Sequence, residues 1–310
     1  MPEFYLIPKR LARKAPFLVA LSQRLEGATF RGIFWVLRRL SLERASAIAA
    51  SAFGLFGPHT DKARKAEANL AIAFPESDPE WRKHTVREIF RNLGVAAVEL
   101  VKMEQIWEQR EQRLEFVLQP GARRHIEGGG ASVFVCAHVG PWQITNLIGR
   151  QCGLTVSTIY APESNPVMRD LMAALRESFG VKWIASDAGA RPLVRELSAG
   201  HCIGMAMDTR LDTGKLIPFF GRDALTNTSA AGLALRTGAA LLPIRSERLP
   251  GGRFRVTVYD PITPENPDTP PKELATELTA RINGYFEAWI RDNPEQWICL
   301  KRRWPKAHKL

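Results

Sequence analysis

Between about residue 130 and residue 260 the chain alternates short apolar runs with helix-like segments, and this alternation most limits its fold. Gly128-Gly129-Gly130 breaks the preceding pattern. Strand-like runs follow at 132–137, 155–160, 182–185, 202–207, 240–246 and 254–259. Helical segments fall between them, from about 141, at 167–179, at 191–198 and at 229–237, and a long one covers 271–291. Such alternation implies an α/β fold with a mixed, largely parallel central sheet flanked by helices. At 310 residues and 45% apolar content, the chain has room for one large α/β domain, over 61–310, and an N-terminal helical region over 1–60.

That N-terminal region carries a distinct charge pattern. Lys9, Arg10, Arg13, Lys14, Arg24, Arg31, Arg38 and Arg39 stand there against Glu3 and Glu26, interleaved with Phe17, Leu18, Phe30, Ile33, Phe34, Trp35 and Leu37. The pattern fits an interfacial helix on an anionic membrane, and equally an amphipathic helix packed on its own domain. No stretch reaches the roughly 20 apolar residues of a membrane-spanning helix. Leader-like features are absent, because Arg and Lys interrupt the first apolar segment. The expectation is a protein docked on a membrane from its cytoplasmic side. The formal net charge of +11 suits nucleic acid, anionic lipid or an acidic carrier protein as partner. No helix-turn-helix, RRM or zinc pattern accompanies the charge, so nucleic acid is set aside. Cys136, Cys152, Cys202 and Cys299 lack metal-ligand spacing and read as free thiols, and no metal site is expected.

The segment Val133-Phe-Val-Cys-Ala-His138-Val-Gly-Pro-Trp-Gln143 reads as a buried strand, a tight turn and a helix start. In open α/β sheets ligands bind beyond the carboxyl ends of the strands, and His138 lies at such an end. Gly140 permits the turn, and Pro141 suits a first helical position. The free N–H groups of that helix start would face a developing negative charge. A histidine here is either a general base for an attacking hydroxyl or a satisfied structural residue.

Other motifs follow in order. They are Asn69-Leu70, Phe74-Pro75-Glu76, His138-Val-Gly-Pro-Trp142, Tyr160-Ala-Pro162, Asn165-Pro166, Asp208, Pro218-Phe-Phe-Gly221, Thr226, Pro294-Glu-Gln-Trp297 and Arg302-Arg303-Trp304. Taken together they resemble the bacterial lipid A biosynthesis acyltransferases, the lauroyl/myristoyl-type enzymes of the lysophospholipid acyltransferase superfamily. The resemblance runs from about Asn69 to Trp304. It implies an acyltransferase, with no cofactor, that moves a fatty acyl chain from acyl carrier protein to a hydroxyl of a lipid A precursor at the inner membrane. In that family a histidine is followed five residues later by Asp or Glu, and His138 matches the histidine as general base. The resemblance further implies substrate-binding roles for Asp208, Thr226, Arg302 and Arg303, and Arg176 and Arg210 join them as candidate phosphate contacts.

The chain departs from the family pattern at three places. Gln143 stands where the acid belongs; its carbonyl oxygen can accept a hydrogen bond from an imidazole but supplies no charge. Glu163, Asp208 and Asp212 are the candidate replacements. Ala161 follows the tyrosine where the family has Arg, leaving Arg169, Arg176 or Arg210 for an acceptor phosphate. Lys301 replaces a histidine before the paired arginines. The departures keep two alternatives open: an acyltransferase for another glycolipid or a lysophospholipid, and a lipid-binding pseudoenzyme.

Overall fold

A computed structural model of the protein describes residues 16–305. Of the N-terminal basic residues, Lys9, Arg10, Arg13 and Lys14 lie outside the described residues. The described chain begins with helices Pro16–Arg39, Leu42–Phe56, Asp61–Ala73 and Pro79–Val101. Side chains cap two of them in the manner that short oxygen-bearing residues allow. Ser41 Oγ accepts from the Arg44 N–H at 3.2 Å, and Asp78 Oδ1 accepts from the Trp81 N–H at 2.7 Å.

The strands are β1 (Leu114–Leu118), β2 (Ser132–Cys136), β3 (Val156–Tyr160), β4 (Lys182–Ala185), β5 (Cys202–Ala206), β6 (Arg210–Phe219), β7 (Arg222–Thr226), β8 (Ala240–Leu249) and β9 (Arg253–Val258). Seven of them form one sheet in the order β1-β9-β8-β2-β5-β3-β4. Every neighbouring pair in it is parallel except β8 with β9. The α/β class and the mixed, largely parallel sheet therefore stand. β6 and β7 form a separate antiparallel hairpin.

β2 lies at the centre of the sheet, between β8 and β5. All five of its residues are buried, because helices cover both faces of the sheet. Val133 and Val135 join a core with Ile203, Met205 and Leu241, while Phe134 and Cys136 join a second core with Leu242, Ile244 and Val256. A strand buried on both faces is apolar along nearly its whole length, which is why Val133–Cys136 reads as an unbroken apolar run. Those apolar contacts fix where β2 ends, and so where His138 emerges.

The C-terminal segment returns to that point. After helix Pro271–Asp292 the chain makes a single turn, Pro294–Gln296, and runs extended along the end of β2. Val139 and Trp297 form an isolated antiparallel bridge. The Gly140 N–H donates to the Gln296 carbonyl at 3.0 Å, and the Ile298 N–H to the His138 carbonyl at 2.8 Å. Asn69 fastens the segment from the other side. Its Nδ2 donates to the carbonyls of Cys299 at 2.8 Å and Lys301 at 2.7 Å, and its Oδ1 accepts from the Arg303 N–H at 2.9 Å.

Asn69→Ala removes all three of these bonds at a buried position. Losing them leaves carbonyls and an N–H without partners, at a cost of about 2–4 kcal/mol. The expected outcome is a lower melting temperature and a lower denaturant midpoint with an unchanged slope, read by circular dichroism.

Candidate active site

The register of two adjacent strands builds the site. Cys136, the last residue of β2, sits opposite Ala206, the last residue of β5. His138 and Asp208 each lie two residues further on, so parallel pairing brings them side by side at the carboxyl end of the sheet. The Met207 N–H donates to the Cys136 carbonyl at 2.9 Å and carries the pairing past the strand ends. His138 Nδ1 then lies 2.7 Å from Asp208 Oδ1. The same oxygen accepts the His138 backbone N–H at 3.1 Å, and Asp208 Oδ2 accepts the Trp297 indole N–H at 3.0 Å.

Asp208 is only 3% exposed. Burial alone would push its carboxyl up, but the imidazole beside it and the hydrogen bonds from His138 and Trp297 hold it below the usual carboxylate range. Burial likewise works against the charged form of His138, and the Asp208 carboxylate with its hydrogen bond outweighs that and raises the imidazole above its ordinary value. An ionised carboxylate accepts hydrogen bonds only, so the proton of neutral His138 sits on Nδ1 and the Nε2 lone pair is free.

The turn after β2 is set by Gly140, whose φ of +60° lies in the left-handed region. A Cβ there would also fall 2.7 Å from Gln296 Oε1. The helix expected from about residue 141 is instead a 3-10 turn, Trp142–Leu147, followed by a short α-helix, Ile148–Cys152. Side chains compete for its carbonyls: Thr145 Oγ1 donates to the Trp142 carbonyl at 2.7 Å and Asn146 Nδ2 to the Gln143 carbonyl at 2.9 Å. Ser246 Oγ donates to the Pro141 carbonyl at 2.8 Å and anchors the start of the turn. The expected helix N-terminus facing a negative charge is therefore replaced by this tighter turn.

Two cavities meet at His138. One, of about 200 Å³, runs between Phe134, Ile148, Phe179 and Met205, and Gln143 and Arg176 are on its wall. The other, of about 430 Å³, is lined by Asp208, Arg210, Trp297, Lys301 and Arg303. Cys136 also lines the first cavity, but burial pushes its thiol up to about 12, which leaves no thiolate to act as nucleophile.

The residues singled out from the sequence fall into different places. Gln143 is not the partner of the imidazole: Asp208 occupies Nδ1, and Gln143 Oε1 is buried with no hydrogen-bond partner. Among the three candidate carboxylates only Asp208 reaches the histidine. Glu163 pairs with Arg176, and Asp212 with Arg210 at 2.7 Å. Arg176 lies 4.4 Å over the Tyr160 ring at the lip of the smaller cavity. Arg303 is 2% exposed, donates to the Leu225 carbonyl and to Thr226 Oγ1, and lies 4.8 Å over the Phe219 ring. Burial holds its guanidinium down to about 10. Thr226 is thereby a buried partner of Arg303 and lines neither cavity; half-buried Arg302 lines neither as well. Trp297 carries no role in the sequence pattern beyond its motif, and its indole N–H on Asp208 is a contact that spacing alone misses. Its place in Pro294-Glu-Gln-Trp297 was the available signal.

Comparison with known proteins shows what the chain resembles. The chain is 26% identical to the lipid A biosynthesis lauroyltransferase of Escherichia coli (strain K12) over 248 residues, 78% of each chain. It is 28% identical to the lipid A biosynthesis palmitoleoyltransferase of the same organism over 249 residues, 77% of each chain. It is 26% identical to the phosphatidylinositol mannoside acyltransferase of Mycolicibacterium smegmatis (strain ATCC 700084 / mc(2)155) over 187 residues, 58% of each chain. The pattern that defines the bacterial lipid A biosynthesis acyltransferases matches residues 28–306, and with nearly the whole chain inside that match the protein belongs to this family of acyltransferases.

Proposed function

We propose that the protein transfers a fatty acyl chain from acyl carrier protein to a hydroxyl of a lipid A precursor, at the cytoplasmic face of the bacterial inner membrane. The observation that carries this reading is the His138–Asp208 pair at the junction of two cavities. The acyl chain enters the smaller, mostly apolar cavity, and the acceptor headgroup the larger one, beside Arg210 and Lys301. His138 Nε2 takes the proton of the acceptor hydroxyl as its oxygen attacks the thioester carbonyl. A C–O bond forms and the C–S bond breaks. The departing thiolate takes that proton from the imidazolium and leaves as the thiol. Asp208 holds the tautomer and stabilises the imidazolium, the role a buried carboxylate plays in triads generally. Burial keeps that charge pair away from the screening of bulk water.

Asp208 also weighs against the pseudoenzyme reading, since the charge that Gln143 lacks comes from β5. The similarity to a phosphatidylinositol mannoside acyltransferase supports a phosphorylated glycolipid acceptor as the broader alternative to lipid A. Transfer of label from a defined acyl carrier protein donor to tetra-acylated lipid A precursor in micelles, with product mass spectrometry, tests the acceptor and the donor together. Turnover confined to another glycolipid would shift the acceptor assignment. Turnover by Gln143→Glu alone would restore the pseudoenzyme reading.

Docking on the membrane rests on the first two helices. Phe17, Leu21, Leu25, Ile33, Trp35 and Val36 are exposed on helix Pro16–Arg39, and Ile48, Phe53, Leu55 and Phe56 on helix Leu42–Phe56. Arg39 stacks on Trp35 at 4.7 Å. No described helix is long and apolar enough to cross a membrane. Exposed apolar side chains beside arginines suit a helix lying in the interface of an anionic bilayer.

Three outcomes are expected. His138→Ala abolishes transfer, and Asp208→Asn lowers it by about 10²–10⁴, on the pattern of triad carboxylates. Transfer by the unaltered protein rises with pH, because the neutral imidazole is the base. Its limb lies above the ordinary histidine value of about 6.5, and Asp208→Asn moves it to lower pH; pH–rate profiles of kcat/KM read both. The double substitution Leu21→Glu, Leu25→Glu weakens co-sedimentation with phosphatidylglycerol vesicles by about tenfold or more.

A further inference from the structure

The smaller cavity has a definite length. It runs down one face of the sheet, where Phe134 and Cys136 of β2, Gly204 and Ala206 of β5, and Thr158 and Val156 of β3 line it. These positions alternate along each strand, as side chains on one face must. His138 stands at the end where the two cavities meet. Gly204 pairs with both Phe134 and Thr158, which puts those two residues at one level across the three strands. Ser132 and Cys202, the next positions down the same face, do not line the cavity. It therefore ends just below Phe134, against Val156.

That end is closed from the helix side by Ile148 and Phe179, both buried. The backbone of helix Ile148–Cys152 lies directly on the floor: a Cβ on Gly149 would fall 2.9 Å from Val156 Cγ2. Phe179 is braced by the ring of Trp183, edge to face at 5.4 Å. An interior packed this closely does not make room without cost.

Two measures give the chain that fits. Four residues of parallel strand separate His138 from Phe134, a depth of about 13 Å. A saturated chain with bonds of about 1.52 Å meeting at about 111° advances about 1.25 Å per carbon, so this depth takes about ten carbons. Volume is the second measure. A cavity of about 150 Å³ holds one benzene, so about 200 Å³ holds roughly eight carbons.

We propose that the donor is a medium-chain acyl group of about eight to ten carbons, shorter than lauroyl, and that Phe134 and Val156 are the residues that set this limit. The inference rests on the acyl-transfer reading above and names the donor class for that same site. A longer chain would have to displace one of the two floor residues or fold back into the mouth beside His138. The bonds made and broken remain those of the thioester transfer, and the alkyl chain takes no part in them.

The experiment compares hexanoyl, octanoyl, decanoyl, lauroyl, myristoyl and palmitoyl thioesters of acyl carrier protein on the full chain in micelles, with the matching free fatty acids titrated calorimetrically in parallel. Up to octanoyl or decanoyl, kcat/KM is expected to rise about fourfold per methylene, the worth of each buried CH₂. From there to myristoyl it is expected to fall about tenfold or more, the cost of overfilling a packed site. Phe134→Leu, and separately Val156→Ala, is expected to move the optimum to lauroyl. An optimum at hexanoyl, or at lauroyl and beyond, in the unaltered protein, with turnover that His138→Ala abolishes, overturns the chain-length proposal and leaves the acyl-transfer reading standing. An optimum that neither substitution moves overturns the assignment of the floor. If no donor turns over, the transfer reading fails and the titration decides the cavity. Affinity that peaks at octanoic or decanoic acid then supports the limit. Affinity that climbs through palmitic acid, or no binding at any length, overturns it.

Discussion

The site depends on one buried carboxylate. Asp208 accepts from the His138 ring, from the His138 backbone and from the Trp297 indole. A lone carboxylate at this depth would be driven to take up a proton, and it stays ionised because these donors meet it. The donors arrive from two distant parts of the chain: the end of β2 brings His138, and the C-terminal segment brings Trp297. His138 does most to hold the carboxylate charged, and the C-terminal segment, seated against the end of β2, adds the Trp297 hydrogen bond.

Much of the remaining sequence pattern serves that seating. Asn69 ties the segment down from helix Asp61–Ala73 through Cys299, Lys301 and Arg303. Phe219 and Phe220, at the tip of the β6–β7 hairpin, stack against Trp304 and Trp297. Phe220 takes a φ of 52°, a conformation that bulky residues avoid, and a bond from its N–H to Glu287 Oε1 together with the aromatic packing holds it there. Arg303 is locked by Thr226 and Leu225 on β7. Asn69-Leu70, Pro218-Phe-Phe-Gly221, Pro294-Glu-Gln-Trp297 and Arg302-Arg303-Trp304 are far apart in sequence and form one clamp in space. Several of them are structural supports of the site, although their pattern alone suggests substrate contact.

Legibility followed burial. β2, β5 and β8 could be read because strands covered on both faces are apolar along nearly their whole length, and the helix Ser229–Thr237 because its small residues end at a glycine. β6 was missed: Arg210 to Leu216 is polar and mostly exposed, so it carries no apolar alternation, and only its pairing with β7 makes it a strand. β1 was missed although Leu114–Leu118 is mostly apolar: helix Arg110–Arg113 runs straight into it, with no glycine or proline to mark the change. The helix expected after Pro141 failed because Thr145 and Asn146 bond backbone carbonyls within the turn. His138 could be found from its place at a strand end. Its partner could be named only among three carboxylates, because pairing between β2 and β5 is a property of strand order, which spacing along the chain does not contain.

That pairing also changes what position 143 means. A carboxylate five residues after the histidine is needed only if nothing else faces Nδ1, and here β5 delivers Asp208 to that atom from 70 residues away. A second acid at 143 would line the same cavity as the imidazole, and like charges at close range raise one another's pKa. A neutral amide avoids that repulsion and leaves the Asp208 charge undisturbed. Gln143 then serves as one residue of the wall of the smaller cavity, with the histidine's electrostatics already complete without it. The residue that departs most from the family pattern is thus compatible with the catalytic arrangement, because the carboxylate that the imidazole needs arrives from the neighbouring strand.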